Sequence, residues 1–173
     1  EVPGPARPPM PLRLSALLVL LVCLSACDTV GLDLPPEPEA GVQAWDEMLT
    51  AVNAVRAEGA TCGDRLMAPA APLIWDSRLE AAAERHSRDM AEHGHFDHRG
   101  SDGLGTGERV RRAGYDWRVI GENIAARQQS VAGVVGDWGE SEGHCLHLMD
   151  PGFQEIGAAE VDGYWTQVFG VPR

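Results

Sequence analysis

An α+β domain, built on a small antiparallel sheet with helices over both of its faces, is the fold the sequence predicts. Three observations predict it. Helical stripes dominate the earlier part of the chain, and strict alternation replaces them near the C-terminus. The chain of 173 residues also carries 44% apolar and 23% charged side chains, the composition of a single globular core.

Trp45, Met48, Leu49, Val52 and Val55 fall at i, i+3, i+4, i+7 and i+10, which predicts an amphipathic helix facing that core. A second helix opens at Ser77, with Glu80 in capping-box spacing, and puts Leu79, Ala82, Ala83, His86 and Met90 on one face. A short third helix over 106–113 stops at Gly114, where the chain needs a residue that tolerates positive φ. The fourth starts at Ser130 and buries Val131, Val134, Val135 and Trp138. Ile156 and Ala158 then alternate ahead of Asp162-Gly163, and 164–169 is rich in aromatic and β-branched residues. This pattern predicts a hairpin closed by a two-residue type I′ turn. One further strand is expected around 118–125, where Val119, Gly121 and Asn123 alternate with Ile120, Glu122 and Ile124.

Upstream of the domain the chain reads as an address. The apolar run over 14–24 is shorter than the ~20 residues a spanning helix needs, so it reads as the apolar region of a secretory signal. Leu24-Ser25-Ala26-Cys27 follows and resembles the lipobox of bacterial lipoproteins, in which the cysteine is lipidated; an ordinary signal with a coincidental cysteine is the other reading. On the first reading, 1–26 is a lipoprotein-type signal peptide and 27–42 is a Pro/acidic linker containing Pro35, Pro36 and Pro38. The domain then occupies 43–173, anchored through Cys27 to a bacterial membrane in the cell envelope. Met10 is a candidate start, since 1–9 does not resemble the basic region of a signal.

A net charge of −12 repels polyanions, which sets nucleic-acid binding aside. Removing Cys23 with the signal and Cys27 to lipid leaves Cys62 and Cys145, which in an oxidising compartment either pair or remain two buried thiols.

Ionisable groups concentrate in three places: His93 to His98, Glu122 with Asn123, and Ser141 to His147. Imidazoles spaced like those of the first cluster can ligate a transition metal, or they can cap a helix and face solvent. No His-Glu-x-x-His of a metalloprotease occurs. Glu122 lies between Ile120 and Ile124 on a face that should be buried, so its carboxyl must be paired, hydrogen-bonded or protonated. A structural carboxylate accepting backbone hydrogen bonds satisfies that requirement equally well. His144 follows Ser141 by three residues, which puts the two side chains on one helical face.

These residues carry a resemblance. Leu73-Ile74-Trp75-Asp76, Ala83 to Met90, Phe96-Asp97-His98, Gly121 to Ala125, Trp138 to His144, Glu155-Ile156-Gly157 and Tyr164 to Gly170 occur in that order. Together they are similar to the bacterial branch of the CAP superfamily of cysteine-rich secretory, antigen 5 and pathogenesis-related proteins, also called the SCP domain. The resemblance implies an α-β-α sandwich around a three-stranded antiparallel sheet, with a cleft holding two histidines and two acids. Carried over by motif, the histidines fall on His98 and His144 and one acid on Glu122. The other acid position is Ser141, flanked by Glu140 and Glu142. A Cys62–Cys145 bridge is implied in the same way.

The expected function is that of a monomeric binding module: His98, Glu122 and His144 hold a divalent cation such as zinc, or a small or lipid ligand occupies the cleft, without established catalysis. A hydrolase using Ser141 as nucleophile, His144 or His98 as base and Glu122 to orient it is the alternative, although no nucleophile elbow is present. A structural interaction domain of the envelope is the third reading.

Overall fold

The computed structural model of the chain describes residues 40–173, with side chains from 45 onward. The signal segment over 1–26, Cys27 and nearly all of the 27–42 linker lie outside the described residues. In chain order the elements are α1 (Ala40–Glu58), β1 (Ala60–Cys62), β2 (Arg65–Met67), β3 (Ile74–Trp75), α2 (Ser77–His93), α3 (Thr106–Arg112), β4 (Trp117–Ala126), α4 (Val131–Glu140), α5 (Glu142–Met149), β5 (Glu155–Val161) and β6 (Tyr164–Pro172).

The three expected antiparallel strands form the sheet, and β3 adds a two-residue parallel pairing with β5, giving the order β3-β5-β6-β4. Two residues are too few for any alternation, and the pairing shows only in backbone bonds: Ile74 N–H donates to the Gln154 carbonyl and Asp76 N–H to that of Ile156. The β5–β6 turn has positive φ at both Asp162 and Gly163, as type I′ requires. β1 and β2 make a separate small hairpin.

Strand register assigns the layers. Glu122 pairs with Val168 and Ile124 with Thr166, so these side chains share the face covered by α2 and α3. Leu79, Ala82, Ala83, Val110, Tyr115 and Val168 form the core on that side, and Ser87 Oγ donates to Thr166 Oγ1 at 2.9 Å. Asn123 with Gln167 and Ala125 with Trp165 look the other way, onto the larger core that includes Met48, Val134, Trp138, Leu148 and Phe169 from α1, α4, α5 and β6. This is an α-β-α sandwich.

Several local details differ from expectation. The cap of α2 is Asp76, not Ser77: its carboxylate accepts the Arg78 and Leu79 N–H groups, and Glu80 instead accepts from the Trp75 indole. The helix expected from Ser130 breaks at Ser141, whose extended backbone ends α4 and starts α5. At Gly157 the N-terminus of α2 lies against bare strand backbone, where an added Cβ would stand 2.1 Å from the Glu80 nitrogen.

Two tie points fasten the outer layer. Fully buried Arg56 of α1 donates to the carbonyls of Ala71 at 2.8 Å, Leu148 at 2.7 Å and Asp150 at 3.0 Å. Cys62 and Cys145 form a disulfide that joins β1 to α5 across a sequence separation of 83, so they are not two free thiols.

Candidate functional site

Chemistry-bearing side chains gather along β4, the strand at one edge of the sheet. Glu122 is buried on the α2/α3 side, and three neighbours satisfy its carboxylate. Oε1 accepts from His98 Nδ1 at 2.8 Å and from Thr106 Oγ1 at 2.8 Å, and Oε2 accepts from Arg109 Nη2 at 2.6 Å. Arg109 is also buried, and its other amino group donates to the carbonyls of His98 and Leu104, each at 2.9 Å. One guanidinium therefore fixes both the carboxylate and the loop that presents His98. His86 completes the floor: it is fully buried, donates Nε2–H to the Asp97 carbonyl at 2.9 Å, and lies 4.0 Å from Glu122 Oε1.

The charges follow from these contacts. Burial pushes the Glu122 carboxyl up, but the hydrogen bond from His98 and the charge of Arg109 outweigh it and hold the group below its ordinary value. The same hydrogen bond raises His98 above its ordinary value. Burial pushes His86 down and keeps it neutral. His98 is the exposed member of the cluster, its side chain 55% accessible, and its Nε2 has no protein partner among the described residues. The imidazole is thus anchored through Nδ1, favoured in its protonated form, and keeps Nε2 for something outside the fold.

Across the strand, Asn123 organises α5. Its amide donates to the His144 carbonyl at 3.2 Å and to Gln167 Oε1 at 3.1 Å, and its Oδ1 accepts from His147 Nδ1 at 2.8 Å. Burial lowers His144 and His147, with neighbouring imidazole charge adding to the effect. His144 shares a hollow of about 300 Å³ with His98, Phe96 and Ile124. A larger groove of about 750 Å³ adjoins it, continuing past His144, Ser141 and Trp138 to Tyr164. His98 and His147 also border a third hollow of about 340 Å³.

His98 and His144 are therefore brought together at one solvent-reachable hollow, with Glu122 behind His98. Glu122 does not act as a third metal ligand beside them. Both its oxygens are already committed, one to a guanidinium, and among the described residues no group of three His, Cys, Asp or Glu side chains is placed to hold a metal ion. The zinc set His98, Glu122 and His144 thus does not fit as direct ligands. Of the hydrolase alternative, Glu122 orients His98, one of its two candidate bases, while Ser141 borders the groove with His144 and its hydroxyl bonds neither imidazole among the described residues.

Arg109, Thr106 and His147 were not singled out from the sequence. Thr106 and Arg109 stand at i and i+3 on α3, but Arg111 and Arg112 carry the same chemistry close by on the helix, so residue type alone does not distinguish the buried arginine. His147 follows His144 at the same spacing, a signal that was present.

Comparison with known proteins gives the chain its relatives. Residues 49–169 match the Cysteine-rich secretory protein family, CAP. The uncharacterized protein YkwD of Bacillus subtilis (strain 168) is 34% identical over 100 residues, covering 57% of this chain and 39% of that protein. An extracellular protein of Bacillus anthracis str. Ames containing a SCP domain superposes with a TM-score of 0.66 at 26% identity, over 75% of this chain and 40% of that one. An outer surface protein of Borrelia burgdorferi shares the fold with a TM-score of 0.59 at 19% identity, over 73% of this chain and 94% of that one. The chain spans about two fifths of YkwD and of the Bacillus anthracis protein.

Proposed function

From the premise that the chain belongs to the Cysteine-rich secretory protein (CAP) family, we propose that it is an exported binding module, anchored through lipidated Cys27, that takes a small ligand in the groove beside β4. The signal-like run over 14–24 and the Leu24 to Cys27 motif support export and anchoring, and the Bacillus anthracis relative described as extracellular supports export. The observation that carries the reading is the Glu122–His98 pair, which anchors the imidazole through Nδ1, favours its protonated form and leaves Nε2 at the mouth of a hollow that continues into the groove. A preorganised cationic N–H donor selects an acceptor on the ligand, such as a carboxylate, a phosphate or a polar carbonyl.

Thermal denaturation with inorganic phosphate, acetate or zinc chloride as probe tests the reading, because a ligand bound only by the native state raises the apparent stability. An acceptor anion should raise the midpoint of the wild-type protein and have no effect on His98→Ala/His144→Ala, while zinc stabilises neither. If the double variant responds to both anions as the wild type does, or only zinc stabilises, the reading fails.

A further inference from the structure

A second cavity, of about 300 Å³, lies away from the histidines, where α1, α2, α4 and the β5–β6 turn end of the sheet meet. Three of the chain's five tryptophans line it: Trp45, Trp75 and Trp165. Trp45 and Trp75 pack with ring centroids 5.9 Å apart and planes tilted by 32°. Both inner indoles are anchored through their N–H groups, Trp75 to Glu80 Oε2 at 2.9 Å and Trp165 to the Gln128 carbonyl at 3.1 Å, which fixes the rings in place.

Carboxylates border the same cavity, and no basic side chain among the described residues does. Glu84 is neutralised by Arg88 one turn along α2. Glu80 and Glu160 have no ion-pair partner among the described residues. Indole faces carry negative partial charge, so fixed rings and two uncompensated carboxylates act with the same sign on anything that enters. A hard metal ion does not suit the place: no group of three acidic, His or Cys side chains is set to hold one among the described residues, and Met48, Val131 and Ala158 supply apolar surface. An organic cation suits both halves, its methyl groups covering apolar surface while its charge meets the indoles and carboxylates.

We infer that this tryptophan-lined cavity, with Glu80 and Glu160 at its border, binds a quaternary or methylated ammonium group. Its ligand chemistry is opposite in sign to that of the His98 groove, so the two sites stand or fall separately.

Titration of the purified full chain with choline and with tetramethylammonium chloride, against matched sodium chloride, tests the inference by tryptophan emission and calorimetry. Emission should change saturably with either cation. Dimethylbutanol, the neutral carbon isostere of choline, should bind about tenfold or more weakly. Glu80→Gln/Glu160→Gln, which leaves an acceptor for the Trp75 indole, should lose about tenfold in choline affinity, and His98→Ala/His144→Ala should lose none. Equal binding of choline and its isostere, an unchanged double glutamine variant, or no saturation with either cation would overturn the inference. Vesicles of phosphatidylcholine and of phosphatidylglycerol separate the two sources of this chemistry. Preference for the first identifies a lipid headgroup, and binding of free choline alone identifies a soluble ligand.

Discussion

Glu122 shows how one buried carboxylate sets the state of an exposed side chain. Replacing it by glutamine keeps the size but removes the charge that holds His98 protonated, while Arg109 stays beside it with nothing to neutralise it. His98 in Glu122→Gln should therefore titrate at or below the ordinary imidazole value of 6.5 instead of above it, as followed by NMR of the ring protons. The sign of the stability effect follows from the same shifts. Glu122 lies below its ordinary 4.5, so its contribution is present above that value and fades as pH falls through the depressed one. His98 lies above 6.5, so its share is complete below 6.5 and fades as pH rises through the raised value. The wild type should thus exceed Glu122→Gln in melting temperature most between these limits, with the gap narrowing above them to the share owed to Arg109. The burial of Glu122 was legible from Ile120 and Ile124 on either side of it, because a period of two is a local property of the chain. Its partners were not legible, because they come from a loop and a helix whose approach is decided by packing.

The helices and strands were more legible than the contacts between them. The stripe of α2 matched its buried face, since Leu79, Ala82, Ala83, His86 and Met90 are all buried. β3 is too short to show alternation, and α5 was not read as a helix of its own. Gly157 belongs to this scale too: its role depends on a helix end that arrives from far along the chain. Gly157→Ala forces the Cβ against backbone that has no flexible end to swing aside, so α2 must lift from β5. Overpacking of this kind costs about 1–3 kcal/mol, and more where the clash is with main chain. Urea denaturation should show a loss of at least that size. A loss below about 0.5 kcal/mol would mean the helix end settles elsewhere without penalty.

At the scale of the whole molecule, the cross-link from Cys62 to Cys145 closes a long loop with a covalent bond. In the chain-entropy picture a loop of 83 residues contributes roughly 4 kcal/mol, a large part of the total stability of a domain this size. Cys62→Ala/Cys145→Ala should lower the melting temperature by about ten degrees or more, at about 2–4 °C for each kcal/mol lost. The same variant should also weaken anion stabilisation at His98 and His144, because α5 would then be held mainly by Asn123 and Arg56. Pairing of the two cysteines was implied by the family resemblance. Their number and the oxidising compartment favoured a bridge, with two buried thiols as the other reading.

Because His144 immediately precedes Cys145, the sulfur link is a covalent tie at the wall of the groove itself. If the chain binds a ligand there as proposed, its dithiol form should bind more weakly than its oxidised form, which would couple that binding to the supply of oxidant.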